Sequence, residues 1–236
     1  MIDAASFFRT VLQAARDLLR PAILFEALWP PLVAFLIWSA IAWFAWQPLA
    51  KWLIAELPDW PWLAWLGPWL SHAAVFMIFA PLVYLTALLL TGVIALPRMM
   101  TFIAARDFPD LKRQGDPRAA FWGSLANTLF AGLVFALGWL ITLPLLLIPG
   151  MLLILPLFWS AWLNQRAFRF DALAEHALAE ERAAIVRSER PSLYLAGLLG
   201  ALAAHVPFIN LFALAFTALL FVRLCLSALR RLRQMG

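Results

Sequence analysis

Arg20 is followed at once by Pro21, and this pair is the clearest binding chemistry in the chain. Proline suits the first turn of a helix, where its missing amide proton costs nothing, so Ala22-Ile23-Leu24-Phe25 reads as a helix start. An arginine beside the unpaired amides of a helix N-terminus can hold an anion, through forked hydrogen bonds and the positive end of the helix dipole. Leu19 and Arg20 are therefore the candidate anion-binding residues. Two readings stay open: Arg20 as an anion ligand, or as a flanking arginine that meets lipid phosphate. Glu26, nearby, can pair with it and lower its affinity for an anion. A second polar group, His205, Pro207 and Asn210, interrupts a long apolar stretch. It either caps a broken helix and satisfies the freed backbone groups, or lines part of an ion path.

The remaining residue types point away from catalysis. His72, His176 and His205 have no His or Cys neighbour at metal-ligand spacing. Cys225 is the single cysteine, which excludes an internal disulfide. Gly-rich phosphate loops, Ser-centred elbows and acidic pairs within apolar segments are all missing. No catalytic residue, metal site or cofactor is expected, and the chain is not read as an enzyme.

The elements that must carry these residues are membrane helices. The 236 residues are 65% hydrophobic and 13% charged, with a mean hydropathy of +0.87, where a soluble domain carries about 25% charged residues. Seventeen of the 18 Lys and Arg residues fall into four segments: residues 9–20, 98–118, 166–190 and 223–233. Basic loops stay in the cytoplasm, so these segments mark the cytoplasmic side of a multi-pass protein with both termini there. The net charge of +5 is then explained by topology and by anionic lipid headgroups, with membrane lipids rather than nucleic acid as the partner.

One membrane domain over 1–236 is expected. Residues 1–20 place Phe7, Phe8, Val11, Leu12, Ala15, Leu18 and Leu19 on one helical face, an amphipathic helix lying in the interface. Residues 27–50 and 71–96 read as the two transmembrane helices, each long enough for a hydrocarbon core of about 30 Å. Residues 47–70, with five Trp and four Pro residues, read as an aromatic belt too interrupted to span. Pro144, Pro149 and Gly150 fold residues 119–163 into a helical hairpin, and 164–190 read as a second amphipathic helix. The last apolar stretch, Pro191 to Val222, is too short to cross twice. A single crossing would place the C-terminal arginines outside, so 193–226 read as a re-entrant hairpin. The fold class is an all-α integral membrane protein.

The run Trp159-Ser-Ala-Trp-Leu-Asn-Gln-Arg166-Ala-Phe-Arg169-Phe-Asp171-Ala-Leu173, then His176, then Val206-Pro-Phe-Ile-Asn210 and a basic tail, resembles CysZ-type sulfate permeases. It is also similar to the wider etoposide-induced membrane protein superfamily. The resemblance implies an interfacial first helix, two long membrane helices, and two partly penetrating hairpins joined by an amphipathic helix. It further implies homo-oligomers in the bacterial inner membrane and uptake of sulfate, or a similar anion, for cysteine biosynthesis; with no nucleotide site and few titratable relay residues, that uptake reads as passive. The family's Gly-Leu-Arg anion signature has its counterpart here in Leu18-Leu19-Arg20, with Leu18 at the glycine position. The alternative is a non-transporting membrane assembly or lipid-contact protein of the same superfamily.

Overall fold

The computed structural model describes residues 3–56, 63–112, 114, 117–206 and 209–235. Among these, every regular element is helical. Nine α-helices follow in order: α1 (Ala4–Leu18), α2 (Pro21–Ala55), α3 (Leu63–Leu90), α4 (Leu96–Asp107), α5 (Pro117–Thr142), α6 (Met151–Ala174), α7 (Ala179–Ser188), α8 (Arg190–His205) and α9 (Asn210–Met235). A π-turn at Thr91–Ala95 links α3 to α4, and a short 3-10 helix at Leu143–Leu147 follows α5. Four segments are long and apolar enough to cross a membrane: Pro21–Ala55, Trp65–Asp107, Phe121–Leu147 and Phe212–Met235.

Several boundaries differ from those read in the sequence. α2 begins at Pro21 and runs through Pro30, Pro31 and Pro48 to Ala55, beyond the expected end at residue 50. At 35 residues it is about 52 Å long. α3 resumes at Leu63, inside the Trp-rich stretch expected to form only a belt, and the helix continues to Asp107 rather than stopping at 96. Proline interrupts a helix less decisively in an apolar setting, where the backbone has no better partner than its own helix. The stretch 164–190, expected as one amphipathic helix, is divided between the end of α6 and the separate α7. The helix expected to end at 226 continues to Met235.

The described residues pack as two compact units. One comprises Leu24–Pro97, the other Met1–Ile23 with Arg98–Gly236. In the first, α2 and α3 are antiparallel. The Trp38 indole donates to Thr86 Oγ1 at 2.8 Å, and the Trp46 indole donates to His72 Nδ1 at 3.0 Å. Ala50, Val75 and Phe79 form the core between them. The outward residues are large and apolar, Trp43 being 83% exposed and Phe44 79%, as a lipid-facing surface requires.

The second unit is built around α9. Leu219, Leu220, Phe221, Leu224, Cys225, Leu226 and Leu229 are all fully buried, and α1, α6, α7 and α8 pack against this helix. α5 and α6 form an antiparallel hairpin. The Ser124 hydroxyl donates to Asp171, the Asn127 amide to the Arg166 carbonyl at 3.2 Å, and the Trp159 indole to Thr142 Oγ1 at 3.0 Å. Gly150 takes φ +87° at the N-terminus of α6, a left-handed conformation that glycine adopts at no cost. α8 approaches its neighbours through Gly197, where a Cβ would strike the Ala161 carbonyl oxygen, and Gly200, which faces Thr217. Small residues at such seams let helix backbones come close.

Candidate functional site

α1 is capped by Asp3, whose carboxylate accepts from the Ser6 amide at 3.1 Å. It closes in a tight turn, the Leu19 amide donating to the Arg16 carbonyl at 3.2 Å and the Arg20 amide to the Asp17 carbonyl at 3.0 Å. That turn leaves the Leu19 side chain 74% exposed and sets Arg20 one residue ahead of Pro21, the first residue of α2. The buried face of α1 is Ala14 and Asp17, whereas Phe8 and Leu12 of its apolar face remain exposed. The helix is thus held to the protein through Ala14 and Asp17, with Phe7, Val11 and Leu18 half-buried beside them.

Asp17 organises the surroundings of Arg20. It is completely buried, with Oδ1 2.7 Å from the Nε of Arg20 and Oδ2 accepting from the Nε of Arg223 on α9. The Nη2 of Arg223 donates to Asp107 at the end of α4, and its Nη1 to Gln13 of α1 at 3.4 Å. Two carboxylates and two guanidinium groups therefore neutralise one another where α1, α4 and α9 meet. Arg20 stays 31% exposed at the side chain, and the described residues offer no partner to its two Nη nitrogens. Arg20 directly precedes the first turn of α2, where backbone amides have no intrahelical acceptor.

The other tail arginines are engaged by protein. Arg230 donates from Nε to Asp110 at 2.8 Å and from Nη2 to the Asp107 carbonyl at 2.9 Å. Its hydrogen bond holds the Asp110 carboxyl below the usual carboxylate range. Arg233 reaches Glu181 at 2.8 Å, Gln114 at 3.0 Å and the His176 carbonyl at 2.8 Å. Arg231 pairs with Glu189 at 3.3 Å.

The second candidate group lies elsewhere. His205 is the exposed last residue of α8, its Nδ1 2.7 Å from the Ala201 carbonyl oxygen. Asn210 opens α9, exposed, with its amide donating to the Val206 carbonyl at 3.0 Å. Pro207 lies outside the described residues. α9 is continuous from Asn210, so Arg223, 13 residues on, is about 20 Å further along its axis. Arg20, tied through Asp17 to Arg223, is not brought together with the tip residues.

Asp17, Asp107 and Arg223 were not singled out in the sequence. The available signal was spacing: Gln13, Asp17 and Arg20 share one face of the α1 turn, and Arg223 and Arg230 lie seven residues apart on α9. A family model described as Sulfate transporter CysZ/Etoposide-induced protein 2.4 matches residues 10–215. The chain belongs to this family. The match takes in Asp17, Arg20, Asp107, His205 and Asn210 but ends before Arg223. No curated protein matches the chain, and no solved structure does. At family level it is a CysZ-like, multi-pass membrane protein with four candidate spans.

Proposed function

We propose that this CysZ-family protein is a passive permease for sulfate or a similar oxyanion, and that Arg20 is its anion contact. The observation that carries the reading is that Arg20, one residue ahead of α2, is partly exposed and its Nη fork has no partner among the described residues. A guanidinium there offers two parallel donors to an oxyanion, and the helix dipole adds a favourable field. Asp17 lies against Nε as a charge pair, which moderates the charge of the fork. Leu19 beside it limits access from one side, and Leu18, where the family signature has glycine, narrows backbone approach. His205, Pro207 and Asn210 are assigned to the path only as its polar tip. On this reading the protein is no enzyme and needs no cofactor. It sits as a homo-oligomer in the bacterial inner membrane with both termini cytoplasmic, and supplies sulfate for cysteine biosynthesis.

Sulfate flux into proteoliposomes tests this. Wild type is expected to exceed empty vesicles, and Arg20→Ala to fall towards them. Equal flux in wild type and Arg20→Ala would remove Arg20 from the path, and no flux above empty vesicles would remove sulfate. A second reading, a non-transporting membrane assembly or lipid-contact protein, draws support from the pairing of Arg20 with buried Asp17. Failure of the protein to restore sulfate uptake in permease-deficient cells would favour it.

A further inference from the structure

Arg20 and the four arginines of α9 each have a carboxylate: Arg20 and Arg223 share Asp17, Arg230 has Asp110, Arg231 has Glu189 and Arg233 has Glu181. Three arginines at the seam of α6 and α8 do not. Arg166 and Arg169 stand one turn apart on α6, and Arg190 is the first residue of α8. Among the described residues no carboxylate forms an ion pair with any of them. Arg169 is held instead by a neutral group, donating from Nη1 to the buried Gln165 side chain at 2.8 Å. Arg166 lies over the rings of Phe130, 4.8 Å from its centroid, and Trp162, at 5.9 Å. Its Nε is buried and has no hydrogen-bond acceptor. Arg190 is exposed and lies 6.0 Å from the Tyr194 ring centroid.

Three positive charges this close repel one another. Burial first, then the charge of Arg166 and that of Arg190, hold the Arg169 guanidinium below its ordinary value. Leaving a buried charged donor unpaired costs more than the roughly 1–3 kcal/mol typical of a neutral group. A bound anion removes both penalties together. A polar gap between helices can be filled by neutral partners, but only an oxyanion answers both the surplus positive charge and the unpaired Nε. The exposed aromatic edge of Phe130 and the half-buried Trp162 and Tyr194 flank the cluster, the composition of a headgroup-level site.

We propose that Arg166, Arg169 and Arg190 form an oxyanion-binding site at the α6–α8 seam that takes a phosphoryl group, carried on a lipid headgroup or free. It stands on a different face of α9 from Arg20. Arg169 is electrostatically coupled to Cys225, whereas Arg20 is tied to Arg223, and residues two apart are about 200° apart around a helix. The site is independent of sulfate permeation.

The test uses the full-length protein in detergent. Native mass spectrometry reads retention of phosphatidylglycerol against diacylglycerol, and thermal denaturation reads protection by inorganic phosphate. The variants are Arg169→Gln and Arg190→Gln, with Arg187→Gln on α7 as a charge-matched control. Phosphatidylglycerol retention should fall by roughly tenfold or more in the first two variants, the weight of one charge-assisted hydrogen bond, and hold in the control. Protection by phosphate that is lost in the same two variants, without lipid retention, would establish a free oxyanion as the occupant. If neither probe distinguishes these variants from wild type, or if Arg187→Gln loses as much, the site is overturned. Arg190→Gln alters an exposed side chain, so it gives a reading even if Arg169→Gln fails to fold.

Discussion

Replacing Arg223 by alanine should be among the most damaging single changes in the protein. Asp17 is completely buried, and Arg223 supplies one of its two cationic partners while also holding Asp107 and Gln13. Removing one partner of a buried ion pair strands the other charge, at a cost of about 3–5 kcal/mol. For a chain of this size each kcal/mol shifts Tm by about 2–4 °C, so Arg223→Ala should lower Tm by about 6–20 °C. Asp17→Asn alone should cost less, because it removes the charge that is hardest to bury. Combining Asp17→Asn with Arg223→Met should recover part of the loss, since a neutral, well-filled site is often as stable as the ion pair it replaces. The assay is thermal denaturation in one detergent of Arg223→Ala and of a double-mutant cycle made of wild type, Asp17→Asn, Arg223→Met and the Asp17→Asn/Arg223→Met double variant. A coupling of about 0.5–3 kcal/mol is expected for residues in direct contact. Strict additivity, or an Arg223→Ala protein as stable as wild type, would refute the assignment of this cluster as the clasp that holds α1 and α4 to α9.

Four further outcomes are expected. Gly197→Ala drives a Cβ into the Ala161 carbonyl oxygen and should cost about 1–3 kcal/mol, whereas Gly132→Ala, which meets nothing within 4 Å, should be neutral or better; equal Tm values for the two would argue against the close α6–α8 seam. Burial raises the Asp171 carboxyl above its usual range, partly offset by the Ser124 hydroxyl, so its contribution to stability is present at low pH and lost as pH rises through the raised value. Asp171→Asn should therefore be at least as stable as wild type at neutral pH, with the advantage shrinking on acidification; a less stable Asn variant at pH 7 would contradict this. Glu181 has the opposite sign: Arg233 lowers its carboxyl, so its stabilisation holds at neutral pH and is lost as pH falls through the lowered value, and a Tm-against-pH profile of Glu181→Gln should be flatter on the acid side than that of wild type. If Arg20 is the anion contact, Asp17→Asn relieves its neutralisation, and half-saturation for sulfate flux should shift to lower concentration; an unchanged value would mean that Asp17 does not moderate Arg20.

The parts of the fold that were legible are those written in local composition. Pro21 marks the start of α2, Gly150 marks the turn of the α5–α6 hairpin, and the long uncharged tracts mark membrane helices. The Trp-rich stretch with its prolines was misleading at its two ends, where α2 runs on to Ala55 and α3 resumes at Leu63, because breaker rules come largely from water-exposed helices. In water a helix that loses one hydrogen bond can be replaced by solvated backbone, whereas in an apolar setting the remaining helix is still the cheapest conformation. At the site, Arg20 could be picked out from its position before Pro21. Its partner structure could not, since Asp17 and Arg223 are 206 residues apart and nothing in either local pattern names the other. The apolar side of α1 was read as facing the membrane interface, and Phe8 and Leu12 are exposed; its ties to α9 through Gln13 and Asp17 were not legible in that pattern.

α9 shows why charge counting and packing must be read together. By length and composition it qualifies as a membrane span, although Arg223, Arg230, Arg231 and Arg233 fall within it. An arginine facing lipid at depth would be costly, and an isolated helix with this sequence would be a poor span. Here Arg223, Arg230, Arg231 and Arg233 are each met by a carboxylate from α1, α7 or the segments after α4 and α7. The cost of carrying the charges is thereby borne by the rest of the bundle, and α9 can be the most buried of the candidate spans while also being one of the most charged. The same logic isolates the three arginines of the α6–α8 seam. In a bundle that neutralises its tail cations with its own acids, a cluster left with an amide, aromatic faces and an unpaired Nε is one whose counter-charge comes from outside the chain.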